Sequence, residues 1–178
     1  MSQSARILLR APDPVDFAPY GDFIRPPDRP GRRAFYSEAL QPRPSGADPV
    51  LHVNHVAPTV LPMTVTGLER HPHAAQCFMP LDVARYVVLV MPADRTGAPD
   101  VSRALGFLLP GTMGVIYHRN VWHLGATVLD RPGHFTVLMW RGGAQEDDVF
   151  RTISPLTLAL PESITSVPET LENEVSQS

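Results

Sequence analysis

RYVVLVMPADRTGAPDVSRALGFLLPGTMGVIYH, residues 85–118, holds three apolar runs, RYVVLVM (85–91), ALGFLL (104–109) and GVIYH (114–118), separated by proline- and glycine-bearing turns. Each run is five to seven residues long and rich in β-branched and aromatic side chains, which reads as a strand rather than a helix. The same texture extends outward. RILLR (6–10), VLHVNHV (50–56), MTVTGLE (63–69), QCFMPL (76–81), ATVL (126–129) and HFTVLMW (134–140) are further strand candidates. The chain carries 20 prolines, far above average usage, and they divide it into pieces too short for long helices. Closely spaced short strands predict a mainly β fold, an antiparallel sandwich or barrel. One short helix is expected near the start, with Asp13 as cap, Pro14 at the first helical position, Asp16 three residues after the cap and Gly21 as its end.

At 178 residues the chain is read as one domain, residues 1–160, followed by a tail. PESITSVPETLENEVSQS (161–178) carries four glutamates and no basic residue, the pattern of a mobile acidic tail. RPPDRPGRR (25–33) and QPRPSGADP (41–49) read as solvated loops. Fifteen basic and 18 acidic residues give a net charge of −3 without a basic run, so no nucleic-acid partner is expected. MSQSARILLRAPDP offers only the short apolar run ILL (7–9) and no stretch reaches spanning length, so a cytoplasmic protein without a membrane partner is expected. Cys77, the single cysteine, allows no internal disulfide and sits in apolar QCFMPL, where a small buried thiol is expected rather than a nucleophile.

Two clusters carry chemistry. LERHPHAAQCFMPL (68–81) brings together Glu69, Arg70, His71, His73 and Gln76. In an extended segment Glu69, His71 and His73 share a face, suited to a divalent metal or to proton exchange, although Pro72 argues against a regular central strand. VIYHRNVWH (115–123) holds Tyr117, His118, Arg119, Trp122 and His123, and its histidines need a turn at RNV to converge. Trp122 by itself reads as core. His52 and Asn54 fall on the strand face opposite Leu51 and Val53, with His55 on the latter's side, and His134 begins a strand in water. The acidic run at Asp147 reads as a solvated turn.

In this order, with a strand-rich stretch between them, the clusters resemble the ureidoglycolate lyase family. FAPYGDFI (17–24) is similar to its opening segment, LERHPHAAQCFMPL to its central motif, LPGTMGVIYHRNVWH (109–123) to its proline-glycine turn and tyrosine-histidine-arginine, tryptophan-histidine series, and RGG (141–143) to its closing motif. The likeness covers roughly residues 5–155. It departs where the family has a second histidine and a proline and this chain has Leu124 and Gly125, at Trp140 in place of an aspartate, and at His73 in place of an aliphatic residue. Gln76 also stands where the broader cupin pattern has an acid.

The resemblance implies a cupin-like antiparallel β-barrel of the double-stranded β-helix type, a homodimer, and a carbon-nitrogen lyase of the amidine-lyase type that splits ureidoglycolate into glyoxylate and urea in allantoin and purine breakdown. For that reaction His118, His123, His71 and Glu69 are the expected acid, base and orienting groups. Arg119 would take the substrate carboxylate, Gln76 the urea carbonyl, and Trp122, His73 and Tyr117 would line the pocket. A divalent metal, if the protein uses one, would draw on His71, His118 and His123 with Glu69 or Gln76. Two other functions stay open: a metal-dependent cupin enzyme such as an oxygenase or isomerase, and a non-catalytic module that binds a small carboxylate or ureide.

Overall fold

The structure, a computed structural model, describes residues 5–162, so the acidic tail expected over 161–178 lies almost wholly outside the described residues. In chain order the elements are β1 (Ala5–Leu8), α1 (Pro14–Phe17), β2 (Gly21–Ile24), β3 (Asp48–Val56), β4 (Met63–Arg70), β5 (Gln76–Pro80) and β6 (Arg85–Met91). After a turn of 3-10 helix at Val101–Arg103 come β7 (Leu105–Pro110), β8 (Gly114–Tyr117), β9 (Trp122–His123), β10 (Thr127–Leu129), β11 (Gly133–Arg141) and β12 (Val149–Ala159).

The mainly β architecture expected from the sequence is the one observed, built from two sheets. One sheet runs β1, β12, β4, β9, β6, β10, with β7 on the other edge of β6; the second runs β2, β8, β5, β11, β3. All strand pairs are antiparallel except β1 with β12, which is parallel. The first sheet curls until its ends meet. Just past β1, the Arg10 amide donates to the Gly106 carbonyl at 3.1 Å, and the Leu108 amide donates to the Arg10 carbonyl at 2.9 Å. Beneath this closure Gly106 leaves room that a side chain would take from Leu9, since a Cβ there would stand 2.9 Å from the Leu9 Cδ2.

This arrangement makes an apolar core on each face of β6 and explains why that strand is apolar and buried from Tyr86 to Met91. Tyr86, Val88 and Val90 face the second sheet and pack with Phe78, Val115, Tyr117, Phe135 and Val137. Val87, Leu89 and Met91 face the interior of the curled sheet with Leu9, Val65, Leu68, Trp122, Leu156 and Leu158. A strand buried on both faces reads as a continuous hydrophobic run rather than an alternation.

The nine expected strands are present to within a few residues. β2, β9 and β12 are additional. β12 is eleven residues long, and its register against β4 shifts between Thr152 and Leu156, where Pro155 interrupts a regular ladder. The expected helix is a single turn. Asp13 caps it as predicted, accepting from the Val15 and Asp16 amides, but it ends at Ala18. Gly21 opens β2 instead, where a Cβ would lie 1.9 Å from the Ile116 carbonyl oxygen.

Candidate functional site

β4 and β9 lie side by side with Glu69 opposite His123. The two residues of β9 point in opposite directions: Trp122 enters the interior of the curled sheet, and His123 faces the second sheet. There Gln76 starts β5 and pairs in register with Tyr117 of β8. His71 follows the end of β4 directly. Four strands from both sheets therefore bring Glu69, His71, Gln76, Tyr117 and His123 to one end of the space between the sheets.

His123 is 1% exposed, and both ring nitrogens face oxygens. Its Nδ1 is 2.9 Å from the Val121 carbonyl, which can only accept, so Nδ1 carries a proton. Its Nε2 is 3.0 Å from Gln76 Oε1 and 3.4 Å from Glu69 Oε1. A proton on Nε2 satisfies both oxygens, so the ring is surrounded as an imidazolium is. The Tyr117 ring stacks on it at 4.1 Å and 15°, a contact that favours a cation. Burial pushes the Tyr117 phenol well above its ordinary value, with the nearby Glu69 charge acting in the same sense, so it stays neutral. For Glu69, burial acts to raise the pKa, but the hydrogen bond from His123 and the charge of His123 outweigh it and hold the carboxyl below its ordinary value.

His71 is the counterpart. Its Nδ1 is 2.7 Å from the Asp147 carbonyl and 3.1 Å from Asp148 Oδ1, again acceptors only. Among the described residues its Nε2 is buried without a hydrogen-bond partner, and the ring stands 5.5 Å from that of His123. One ligand atom each from Glu69, His71 and His123 lie within 4.8 Å of one another, a nitrogen, nitrogen, oxygen set of the kind that holds a divalent ion. A cleft of about 590 Å³ opens beside this group, lined by Asn54, Val56, Glu69, Gln76, Gly125 and Ala126 among others. No arginine or lysine lines it.

The other sequence candidates lie elsewhere. His118 leaves β8 toward the outside, where its Nε2 meets Asp22 Oδ2 at 3.1 Å and its side chain is 38% exposed. Arg119 and His73 line a different cleft of about 690 Å³, with Arg43, Trp140 and Arg141. Trp122 is core: its Nε1 donates to the Gly97 carbonyl at 3.1 Å, and the Arg70 guanidinium lies over its ring at 4.5 Å. His73 does not share a face with Glu69 and His71, because β4 stops at Arg70 and Pro72 turns the chain. The acidic run at Asp147 is no solvated turn. Asp147 and Asp148 are half-buried against His71, and Asp148 is ion-paired to Arg141. A carbonyl contact of this kind leaves no trace in the residue types, so the sequence marks neither Asp147 nor Val121 as the partner of a histidine.

A family model described as ureidoglycolate lyase matches residues 5–158. A protein of Burkholderia cepacia named ureidoglycolate lyase is 37% identical over 138 residues, 72% of this chain and 76% of that protein. One of the same name from Escherichia coli O1:K1 is 38% identical over 100 residues, 56% of this chain, and the match spans 61% of the relative's length. Among solved structures, RmlC from Streptococcus suis, in complex with dTDP-D-xylose, aligns at a TM-score of 0.41 and 13% identity over 65% of this chain and 51% of that one, which adds nothing to the fold as described above.

Proposed function

The chain belongs to the ureidoglycolate lyase family, and from that premise we propose that it is a carbon-nitrogen lyase of the amidine-lyase type, which splits ureidoglycolate into glyoxylate and urea. The substrate carries a hydroxyl, a carboxylate and a ureido nitrogen on one carbon. Elimination needs a base for the hydroxyl proton and an acid for the departing nitrogen; as the carbonyl forms, the electrons of the carbon-nitrogen bond leave with urea.

The observation that carries the reading is the contrast between two neighbouring imidazoles. His71 presents a bare Nε2, fit to take the hydroxyl proton. His123 presents an Nε2–H held between Gln76 and Glu69, fit to give a proton to nitrogen. Paired groups held in opposite protonation states divide acid from base work. Glu69, an ionised acceptor, steadies the charged His123, and Gln76, whose amide nitrogen makes only a 3.9 Å contact with Met139 Sδ, would offer that N–H to the urea carbonyl. His118, Arg119 and Trp122 stand outside this set. Gly125 lines the cleft beside Glu69.

A second reading has its own observation, the convergence of Glu69, His71 and His123. The orphaned Nε2 of His71 fits a divalent ion, which these three residues would hold. When bound, such an ion supplies positive charge to a hydroxyl or carboxylate oxygen. His123 would then give up its Nε2 proton, and Gln76 would orient the substrate alone.

The reaction fits a place in allantoin and purine breakdown in the cytoplasm; no helix among the described residues is long and apolar enough to cross a membrane. We also propose a homodimer through the outer face of the second sheet. Leu51 and Val53 stand 68% and 57% exposed on its edge strand β3, beside the half-exposed Met79.

The test is glyoxylate and urea release from racemic ureidoglycolate by purified, metal-analysed protein, repeated after chelation. Release that survives chelation supports the two-imidazole mechanism, and release lost on chelation and restored by a divalent ion supports the metal reading. No release above the spontaneous rate in either state rejects the lyase.

A further inference from the structure

We infer that the segment from Arg141 to Asp148 is a positioning device for His71, which fixes the proton on Nδ1 and so keeps a lone pair on the Nε2 that faces the site. The inference deepens the functional reading, and it holds whether Nε2 takes a proton or a metal.

The loop and the turn after β8 together hold the His71 segment from several sides. The His71 carbonyl accepts from the Asn120 amide at 2.6 Å, its ring meets the Asp147 carbonyl at 2.7 Å, and the His73 amide donates to Asp147 Oδ1 at 2.6 Å. The ring therefore has little freedom to turn over and exchange its nitrogens. Around Nδ1 the surroundings are acceptors only: the Asp147 carbonyl, which has no proton to give, and Asp148 Oδ1 at 3.1 Å. Arg141 ion-pairs with the other oxygen, Oδ2, so Asp148 faces His71 as an acceptor as well.

A free neutral imidazole prefers its proton on Nε2. The loop imposes the less common form, as groups behind a working histidine characteristically do when they set its tautomer through the nitrogen that does not react. Two otherwise unexplained atoms fit the same account. Asp148 Oδ1 is buried without a hydrogen bond and so is His71 Nε2, an arrangement unfavourable for the resting fold. Each makes sense as part of a site: Oδ1 bars any arrangement in which Nδ1 is bare, and Nε2 is left open for substrate or ion. Asp148 touches no reacting atom and is a positioning residue.

The test uses the full chain with 15N-labelled histidine and long-range proton-nitrogen correlation spectra, His71 being assigned by its loss in a His71→Gln variant. The expected spectrum of the unsubstituted protein shows His71 with Nδ1 protonated and Nε2 bare. Asp148→Asn offers an amide N–H to Nδ1, and should move His71 toward the Nε2-protonated pattern and lower kcat by roughly 10- to 100-fold with KM little changed. Asp148→Glu should recover both. An Nε2-protonated His71 in the unsubstituted protein overturns the inference, and so does an Asp148→Asn protein with unaltered spectrum and kcat. Because the spectrum of the unsubstituted chain needs neither turnover nor a variant, failure of the lyase reading and failure of this one are separable.

Discussion

Replacing Trp122 with phenylalanine separates the two directions in which β9 points. The indole lies in the interior of the curled sheet at 1% exposure and makes one hydrogen bond, to the Gly97 carbonyl at 3.1 Å. Arg70 Nη1 donates to that same carbonyl at 3.1 Å, so the substitution leaves the acceptor with a partner. The lost bond then costs about 1 kcal/mol rather than the larger penalty of an orphaned group. The missing ring atoms, the void they leave and the weakened contact under the Arg70 guanidinium add a further 1–2 kcal/mol, roughly. The expected total of about 2–3 kcal/mol corresponds to a fall in Tm of about 5–10 °C for a chain of this size. Urea unfolding should show a lower midpoint with an unchanged slope, while kcat and KM for ureidoglycolate stay near those of the unsubstituted protein. A raised KM with unaltered stability would place Trp122 in the pocket wall and refute the assignment of β9.

Three further outcomes follow from the same geometry. Because Glu69 titrates below its ordinary value of 4.5 when folded, it contributes stability that is complete above that value and is lost as the pH falls through the folded value. Glu69→Gln should flatten that part of an acid-unfolding curve, and an unchanged curve would contradict the pairing with His123. Cys77 is buried and its thiol pushed up to about 11, so iodoacetamide at pH 8 should leave it unmodified in the folded protein and label it in urea; labelling at equal rates in both would contradict its burial. At Gly111 a Cβ would stand 1.6 Å from the Val83 carbonyl oxygen, and Gly111→Ala should lower the thermal midpoint sharply; an unaltered midpoint would show that the turn after β7 is placed differently.

The barrel-like β architecture was legible because its evidence is local. RYVVLVM, ALGFLL and GVIYH each declare a strand by composition and by the turns that bound them. β12 was hidden because Pro155 and the charged run before it look like a break, and only its long-range pairing with β4 makes it a strand. Within the site, Glu69, His71, Gln76 and His123 were legible by residue type. Their convergence was not, because it depends on β4, β5 and β9 meeting from two sheets. His118 illustrates the limit: one residue past β8, it follows the strand outward to Asp22, while His123, five positions on, faces inward. Asp147 acts on His71 through its carbonyl, a group that every residue possesses and no sequence pattern marks.

The most direct measurement compares glyoxylate and urea release from ureidoglycolate by the unsubstituted protein with that by His71→Ala, His123→Ala and His118→Ala variants of verified fold. The account predicts equimolar products from the unsubstituted protein, release reduced to the spontaneous rate by either of the first two substitutions, and near-normal turnover in the third. Full activity in His71→Ala, or its loss in His118→Ala alone, would contradict the site described above and return the chemistry to the outer end of β8.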